Sequence, residues 1–413
     1  MNLMKVNVPK SREDSDDIKI SFAIIASTVI LMIQFFILTT FNILDTSIGS
    51  KVQLMSKVFV AIILIYSFPV VLKRVKLQFF LVYYIAIFIF CLHFILFPEN
   101  RMYMKELIFP FFFTCLPTFV YSMSLQNWNV FKQVLQKASV IVFILGLLLG
   151  IQITLGIASV GTYSMTFSYY MLFPTIIHLN ELLDRYSFKS LMISLSSIFI
   201  ILAIGSRGAF LCIAVFILLK LLRPNRELLF SKVRMFFFFS FVLVGLFIVF
   251  NLQKLLFTIQ KILVDLGIQS RSISLFLKGE VSLSGREDIY QRVITEILQH
   301  PVLGIGLGGD RLAADGVYAH NIILEIVSNF GVIIGGVFIF ILFFTIMKFL
   351  FVKELDIYNM IIIWVSIGLI SLFVSGSYLT EIQFWVLMGL IVGYYLHGPE
   401  LVKPNEVTEQ TEI

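Results

Sequence analysis

Residues 284–321 read SGREDIYQRVITEILQHPVLGIGLGGDRLAADGVYAHN. They form the C-terminal half of a polar segment, Gln253 to Asn321, in a chain that is otherwise a nearly continuous series of apolar runs. On either side, stretches near the ~20 residues that a bilayer requires fall at about 20–44, 54–72, 77–97, 107–123, 139–158, 165–181, 189–205, 208–222 and 233–252. After the polar segment they resume at 322–347, 357–376 and 378–396. The expected fold is therefore all-α, a polytopic membrane protein of about twelve transmembrane helices with a long, partly helical outer loop between the ninth and tenth.

Composition supports that frame. Of 413 residues 59% are hydrophobic and only 14% charged, with a mean hydropathy of +0.97, far from the roughly one-quarter charged of globular chains. The first apolar run is longer than the roughly 7–15 residues of a signal-peptide core and has no clear small-residue cleavage site after it, so it is expected to remain as a transmembrane helix. Cys91, Cys115 and Cys212 lie within apolar runs and have no Cys-x-x-Cys spacing, so they read as small hydrophobes. The net charge of +6 could suggest an anionic partner, but its distribution reports topology. With the N-terminus inside, nineteen of the 31 Lys and Arg fall in inner segments, five in short outer loops and seven in the long outer segment. This follows the positive-inside rule and leaves no case for nucleic-acid binding. The organisation expected is a cytoplasmic tail (1–19), nine helices (20–252), an outer loop with the chemical groups (253–321), three helices (322–396) and a cytoplasmic tail (397–413).

Within this frame, Leu125, Trp128, Phe131 and Leu135 recur at helical spacing and suggest an interfacial helix on the inner surface. Leu252, Leu255, Leu256, Ile259, Ile262, Leu263 and Leu266 suggest a second one against the outer leaflet, with Lys254 and Lys261 toward water. Ser284-Gly285-Arg286-Glu287 has the form of a capping box, which predicts a helix running to Gln299 with Arg286 in its first turn. Free amides and the positive dipole end there favour an anion. The cluster Gly304-Ile305-Gly306-Leu307-Gly308-Gly309 lacks the strand and sheet context of a dinucleotide fingerprint; it reads as a flexible turn or a backbone nest for phosphate. Gly331, Gly335 and Gly336 are spaced for close approach of a neighbouring helix.

Three residues stand out chemically. Arg207, in Gly205-Ser206-Arg207-Gly208, sits between two apolar runs with no acidic neighbour in sequence. A charge in a membrane helix costs roughly 2.5–3.5 kcal/mol at its centre, so Arg207 needs compensation, from a distant carboxylate such as Glu325 or Glu381 or from a phosphate-bearing ligand. Arg286 is the second cation. His320, beside Asn321 where the outer segment re-enters the membrane, can accept a proton from a sugar hydroxyl. Glu287 and Asp288 read as capping residues or partners for Arg286. The outer segment has no Asp-x-Asp and no His/Cys cluster, so no metal or other cofactor is expected, and a donor used there must arrive already activated. A lipid diphosphate meets that need.

Together these residues resemble the superfamily of O-antigen ligases and O-antigen or capsule polymerases, membrane glycosyltransferases that use undecaprenyl-diphosphate donors. The resemblance rests on Ser206-Arg207-Gly208-Ala209 with Leu211, on Gly285-Arg286 leading a helix into His300-Pro301-Val302-Leu303-Gly304-Ile305-Gly306, and on His320-Asn321 followed by Gly331. It spans about Ser190 to Leu350. It implies an inverting transferase in the plasma or inner membrane with its site on the outer face. Arg207 and Arg286 would hold the diphosphate, His320 would activate or position the acceptor, and Asn321, Ser206, Gly304 and Gly306 would help bind substrate. The partners implied are an undecaprenyl-diphosphate-linked oligosaccharide, a glycan acceptor and the bilayer, with a flippase and a chain-length regulator as companions. The chain departs from the family pattern at Ala158-Ser159-Val160-Gly161-Thr162-Tyr163, which keeps only a glycine of an expected Arg- and Asn-containing turn. After Gly331 the Gly-x-x-x-Gly-Gly spacing differs from that of some ligases. A polymerase is the favoured reading, a ligase the alternative, and a lipid-linked oligosaccharide flippase or other transporter the alternative of another class.

Overall fold

The computed structural model describes residues 12–155, 157–158, 165–204, 206–223, 252–265, 277 and 286–398. Among the described residues there is no strand. A chain in lipid must satisfy its backbone groups internally, and helices do so within one segment. Among the described residues, six helical stretches are long and apolar enough to cross a membrane: Glu13–Thr40, Ser47–Leu96, Pro98–Met123, Trp128–Ile153, Ile322–Leu350 and Leu355–Phe373. Phe188–Ile204 and Ile382–His397 are shorter apolar helices. The protein is a polytopic all-α membrane protein. The expected ninth span, the Ser284-Gly285 cap and the turn at 159–163 lie outside the described residues.

The elements are α1 (Arg12–Thr40), α2 (Ser47–Leu96), α3 (Arg101–Pro110), α4 (Leu116–Met123), α5 (Trp128–Thr154), α6 (Met165–Asp184), α7 (Phe188–Ile204) and α8 (Arg207–Leu222). They continue with α9 (Leu252–Asp265), α10 (Arg286–Gln299), α11 (Gly309–Ala313), α12 (Ile322–Leu350), α13 (Leu355–Trp364) and α14 (Ile382–His397). A π turn, Phe111–Cys115, joins α3 to α4, and a π turn and a 3-10 turn, Val365–Leu369 and Ile370–Phe373, extend α13.

The expected spans 54–72 and 77–97 are the two arms of α2, interrupted at Val75 (φ −136°, ψ 40°). The Phe68 and Phe79 rings lie 5.3 Å apart, whereas eleven residues of straight helix would separate them by about 16 Å, so the arms fold back on each other. Lys73, Arg74 and Lys76 mark this bend. Arg74 forms a 2.7 Å ion pair with Asp17 of α1, both side chains buried, and donates to the Ser124 carbonyl (3.1 Å). A second polar cluster lies at the same end of the bundle: Lys220 Nζ meets Asp184 (2.8 Å), Asn180 (2.7 Å) and Asn359 (2.6 Å). Both clusters keep buried charge paired, the condition under which it is tolerated.

Three expectations change. The segment before Ile20, expected as a tail, is helical from Arg12, where Asp17 has a buried partner in Arg74. Leu125, Trp128, Phe131 and Leu135, read as an interfacial helix, are buried. Trp128, Phe131 and Leu135 belong to the first turns of α5, where Phe131 stacks on Trp364 at 6.1 Å. Among the described residues, the glycines of α12 do not receive a neighbouring helix. Gly331 (φ 78°, ψ 172°) breaks α12 itself, and a Cβ on Gly335 would stand 3.0 Å from the Ile326 carbonyl oxygen. Nine residues of straight helix would separate those positions by about 13 Å, so residues 322–330 fold back toward the segment after Gly331. Gly336 has nothing within 4 Å of a Cβ among the described residues. The helix at Leu252–Asp265 forms as expected, with Lys254 and Lys261 exposed.

Candidate functional site at the 286–321 segment

Two anchors hold the polar segment against the bundle. At the first, Val332 N–H donates to Pro301 O (2.8 Å) and Ile305 N–H to Ser328 O (2.7 Å), so the chain after His300 threads the break in α12. Gly304 (φ 70°) and Gly331 face each other there: a Cβ on Gly304 would stand 2.5 Å from the Gly331 nitrogen. Only glycine combines these torsions with so close an approach. At the second anchor, Leu307 N–H donates to His93 Nδ1 (3.0 Å) and Asn100 donates to Ile305 O (2.6 Å), while Gly306 packs on the Phe97 ring. The amides of Gly304, Ile305, Leu307 and Gly309 are all engaged within the protein. Gly304 and Gly306 are thus held in the frame of the segment.

His320 is clamped on both sides. Ala319 N–H donates to the buried Asp310 carboxylate (3.0 Å), and the Asn321 side chain caps α12 by accepting from Ile323 N (3.0 Å) and Leu324 N (3.2 Å). Between these fixed points His320 takes φ 53°, a left-handed conformation that a non-glycine residue keeps only where its surroundings impose it. Its ring lies 4.1 Å from that of Tyr318, and Nδ1 is buried without a partner among the described residues. Burial, then the Arg286 charge, lowers its pKa from 6.5 to about 4, so the imidazole is neutral at neutral pH. Burial pushes the Asp310 carboxyl up, opposed by Arg311 and by the Ala319 amide.

Arg286 opens α10, which packs through Val293 and Ile297 against Ala314 and against Leu324 and Val327 of α12. This packing brings Arg286 within electrostatic reach of His320. Arg286 is half-buried and, among the described residues, forms no ion pair, with Glu287 and Asp288 or otherwise.

Arg207 opens α8 and is exposed, likewise without an ion pair among the described residues. Glu325, weighed as its partner, accepts instead from Ser377 Oγ and from Tyr378 N (3.1 Å). Ser206 is buried, its hydroxyl without a partner among the described residues. Gly208 packs against the Tyr169 hydroxyl and Val374. Tyr169 and Tyr318 line one cavity, so the start of α8 and the His320 clamp border a common space. Arg286 therefore acts on His320 through its charge, while Arg207 stands at the start of α8, whose Gly208 packs on a tyrosine of the cavity wall that Tyr318 also lines.

Sequence reasoning passed over Asp310 and Arg311. Both are buried, and Arg311 lies within electrostatic reach of Asp310 and Glu325 but makes no ion pair within 4 Å among the described residues. Their adjacency in a glycine-rich, otherwise apolar stretch is the signal that could have found them.

These features define a polytopic membrane protein with a cationic, histidine-bearing site where a polar segment meets one end of the bundle. A family model described as O-antigen ligase matches residues 192–341, a stretch that contains Arg207, Arg286 and His320. The match covers a little over a third of the chain and supports, over those residues, similarity to the O-antigen ligase and polymerase superfamily of membrane glycosyltransferase-type enzymes. No curated protein and no solved structure gives a significant match.

Proposed function

We propose that this protein is a polysaccharide polymerase of the O-antigen or capsule type. It would transfer a glycan from an undecaprenyl-diphosphate-linked donor to a sugar hydroxyl of a lipid-linked acceptor, with inversion, at the outer face of the plasma or inner membrane. The observation that supports this reading is a clamped, neutral His320 within electrostatic reach of Arg286, which, like Arg207, has no carboxylate partner among the described residues. Arg207 and Arg286 hold the diphosphate through charge-assisted hydrogen bonds. The acceptor oxygen attacks the anomeric carbon as the bond from that carbon to the diphosphate oxygen breaks. The electron pair leaves with undecaprenyl diphosphate, whose developing charge the arginines stabilise, and the acceptor proton passes to His320.

In the free protein His320 is a weak base, because imidazolium would form beside a cation and away from water. A bound diphosphate offsets the Arg286 charge and makes imidazolium more favourable. Proton acceptance is thereby coupled to donor occupancy. Asn321 and Asp310 position His320 through the backbone on either side of it, Ser206 supplies a buried hydroxyl beside Arg207, and Gly304 and Gly306 shape the frame.

A second reading, ligation to a different acceptor such as a lipid A core or a cell-wall sugar, is favoured by the description of the matching family model, O-antigen ligase. Purified protein given a defined undecaprenyl-diphosphate oligosaccharide separates them. Lengthening without an added acceptor indicates polymerase, transfer only to a second glycolipid indicates ligase, and donor moved unaltered across a vesicle indicates a flippase and overturns the proposal.

A further inference from the structure

Between the polar segment and the bundle lies a cavity of about 360 Å³ to which the catalytic roles assign nothing. Its wall includes Thr166, Tyr169 and Tyr170 of α6, Tyr318 of the polar segment, and Ser375 and Glu381 of the turn before α14. The lining offers tyrosine, serine and threonine hydroxyls, one carboxylate, the Gln383 amide and, among the described residues, no cationic side chain. Phosphate calls for guanidinium, ammonium or converging amide donors, and a single side-chain amide beside a carboxylate does not supply them. An uncharged sugar fits better: its hydroxyls donate to a carboxylate and exchange hydrogen bonds with hydroxyl groups, and its C–H faces rest on tyrosine rings.

Glu381 is half-buried, and its carboxylate makes no hydrogen bond or ion pair among the described residues. It faces Gly376, where a Cβ would stand 3.2 Å from Oε2. A carboxylate withdrawn from bulk water without donors is costly, and a ligand that brings hydroxyl donors relieves that cost. The position is also apt. Tyr318 connects the cavity to His320 through their 4.1 Å ring contact, and Tyr169 connects it to the start of α8 at Gly208. A sugar bound here would thus lie beside the neighbours of His320 and of the start of α8.

We infer that this cavity binds an uncharged sugar residue of the substrate, with Glu381 accepting hydrogen bonds from its hydroxyls. The inference rests on the transferase reading and assigns Glu381 to substrate recognition. The sugar can belong to the acceptor or to the donor glycan.

The test uses full-length protein in lipid nanodiscs, with the undecaprenyl-diphosphate oligosaccharide extracted from producing cells as donor and lipid-linked oligosaccharide as acceptor. Glu381→Gln removes the charge and keeps the shape; Thr166→Trp, at an exposed position on the rim, fills the cavity. A hydrogen bond to a charged group contributes about 1.5–3 kcal/mol, so KM for one substrate should rise about tenfold to hundredfold in Glu381→Gln with the other nearly unchanged. A rise for the acceptor identifies an acceptor subsite, and a rise for the donor a donor subsite. Wild-type KM and kcat for both substrates in both variants would overturn the inference.

A binding experiment without turnover separates this idea from the reaction itself. In saturation-transfer NMR, the free oligosaccharide released from the donor should contact the wild-type protein and lose that signal in Glu381→Gln. Equal signals, or none in the wild type, overturn the pocket even if transfer proceeds. Binding intact with no transfer by the wild type overturns the transferase reading and leaves the pocket standing.

Discussion

Replacing Gly331 by alanine should unlock the polar segment from the bundle. The native torsions, φ 78° and ψ 172°, lie in a region essentially reserved for glycine, and an L-residue held in such a region costs about 1–3 kcal/mol. The new Cβ would overlap the Val302 carbonyl and stand 2.9 Å from the Gly304 nitrogen. Both neighbours are backbone, so relief requires moving the loop, at about 1–3 kcal/mol for overpacking. Movement also threatens the Val332–Pro301 and Ile305–Ser328 hydrogen bonds, each contributing about 1 kcal/mol. The sum, about 4–8 kcal/mol, is local to the anchor. Hydrogen exchange in nanodiscs should therefore show the Ile305 and Val332 amides exchanging more than about a hundredfold faster, with α1 and α5 unchanged. Gly336→Ala is the matched control, since nothing among the described residues lies within 4 Å of its Cβ. Equal exchange in the two variants would refute the anchoring role of Gly331.

The clamp on His320 has further consequences. Asn321→Ala removes the cap of α12 and should lower stability by about 1 kcal/mol, whereas Asn321→Asp keeps the capping oxygen. Thermal melting checks this, and an equal loss in both variants would contradict the capping role. The acid limb of kcat/KM, which reports the free enzyme, should lie near pH 4, where His320 becomes charged. Arg286→Gln removes a charge that disfavours imidazolium, so it should move that limb upward in whatever activity remains; an unmoved limb would contradict the influence of Arg286, and a wild-type limb near 6.5 would contradict the burial of the ring. Glu325→Ala leaves the Ser377 hydroxyl and Tyr378 amide without their acceptor and should cost about 1–3 kcal/mol, read as a lower melting temperature. An unchanged melting temperature would show that the contact carries no stability.

Much of the fold and site was legible in the sequence because the signals were local. Length and hydropathy of the apolar runs reveal the helices, and the capping-box form of Ser284-Gly285-Arg286-Glu287 places Arg286 in the first turn of α10. His320 and Asn321 mark the re-entry into the bundle because a polar pair there contrasts with the apolar run of α12. Less legible were features whose partners are remote or whose pattern is ambiguous. The Leu125–Leu135 periodicity is the same whether the apolar face meets lipid headgroups or a helix core, and only tertiary packing against Trp364 distinguishes them. Gly331 and Gly335 satisfy a helix-packing spacing, yet Gly331 breaks α12 to admit residues 301–305 and Gly335 abuts the returning chain. Asp310 supports Ala319 across a non-helical loop, where no period links the two. The cavity around Glu381 draws on α1, α6 and the turn before α14, which are distant in sequence.

The most direct measurement is product length when the purified protein meets an undecaprenyl-diphosphate oligosaccharide, compared among wild type, Arg286→Ala and His320→Ala. The wild type should release undecaprenyl diphosphate and form longer glycan, while both variants, folded and inserted normally, should form little or none. Chain growth by either variant at the wild-type rate would contradict the roles given to these groups.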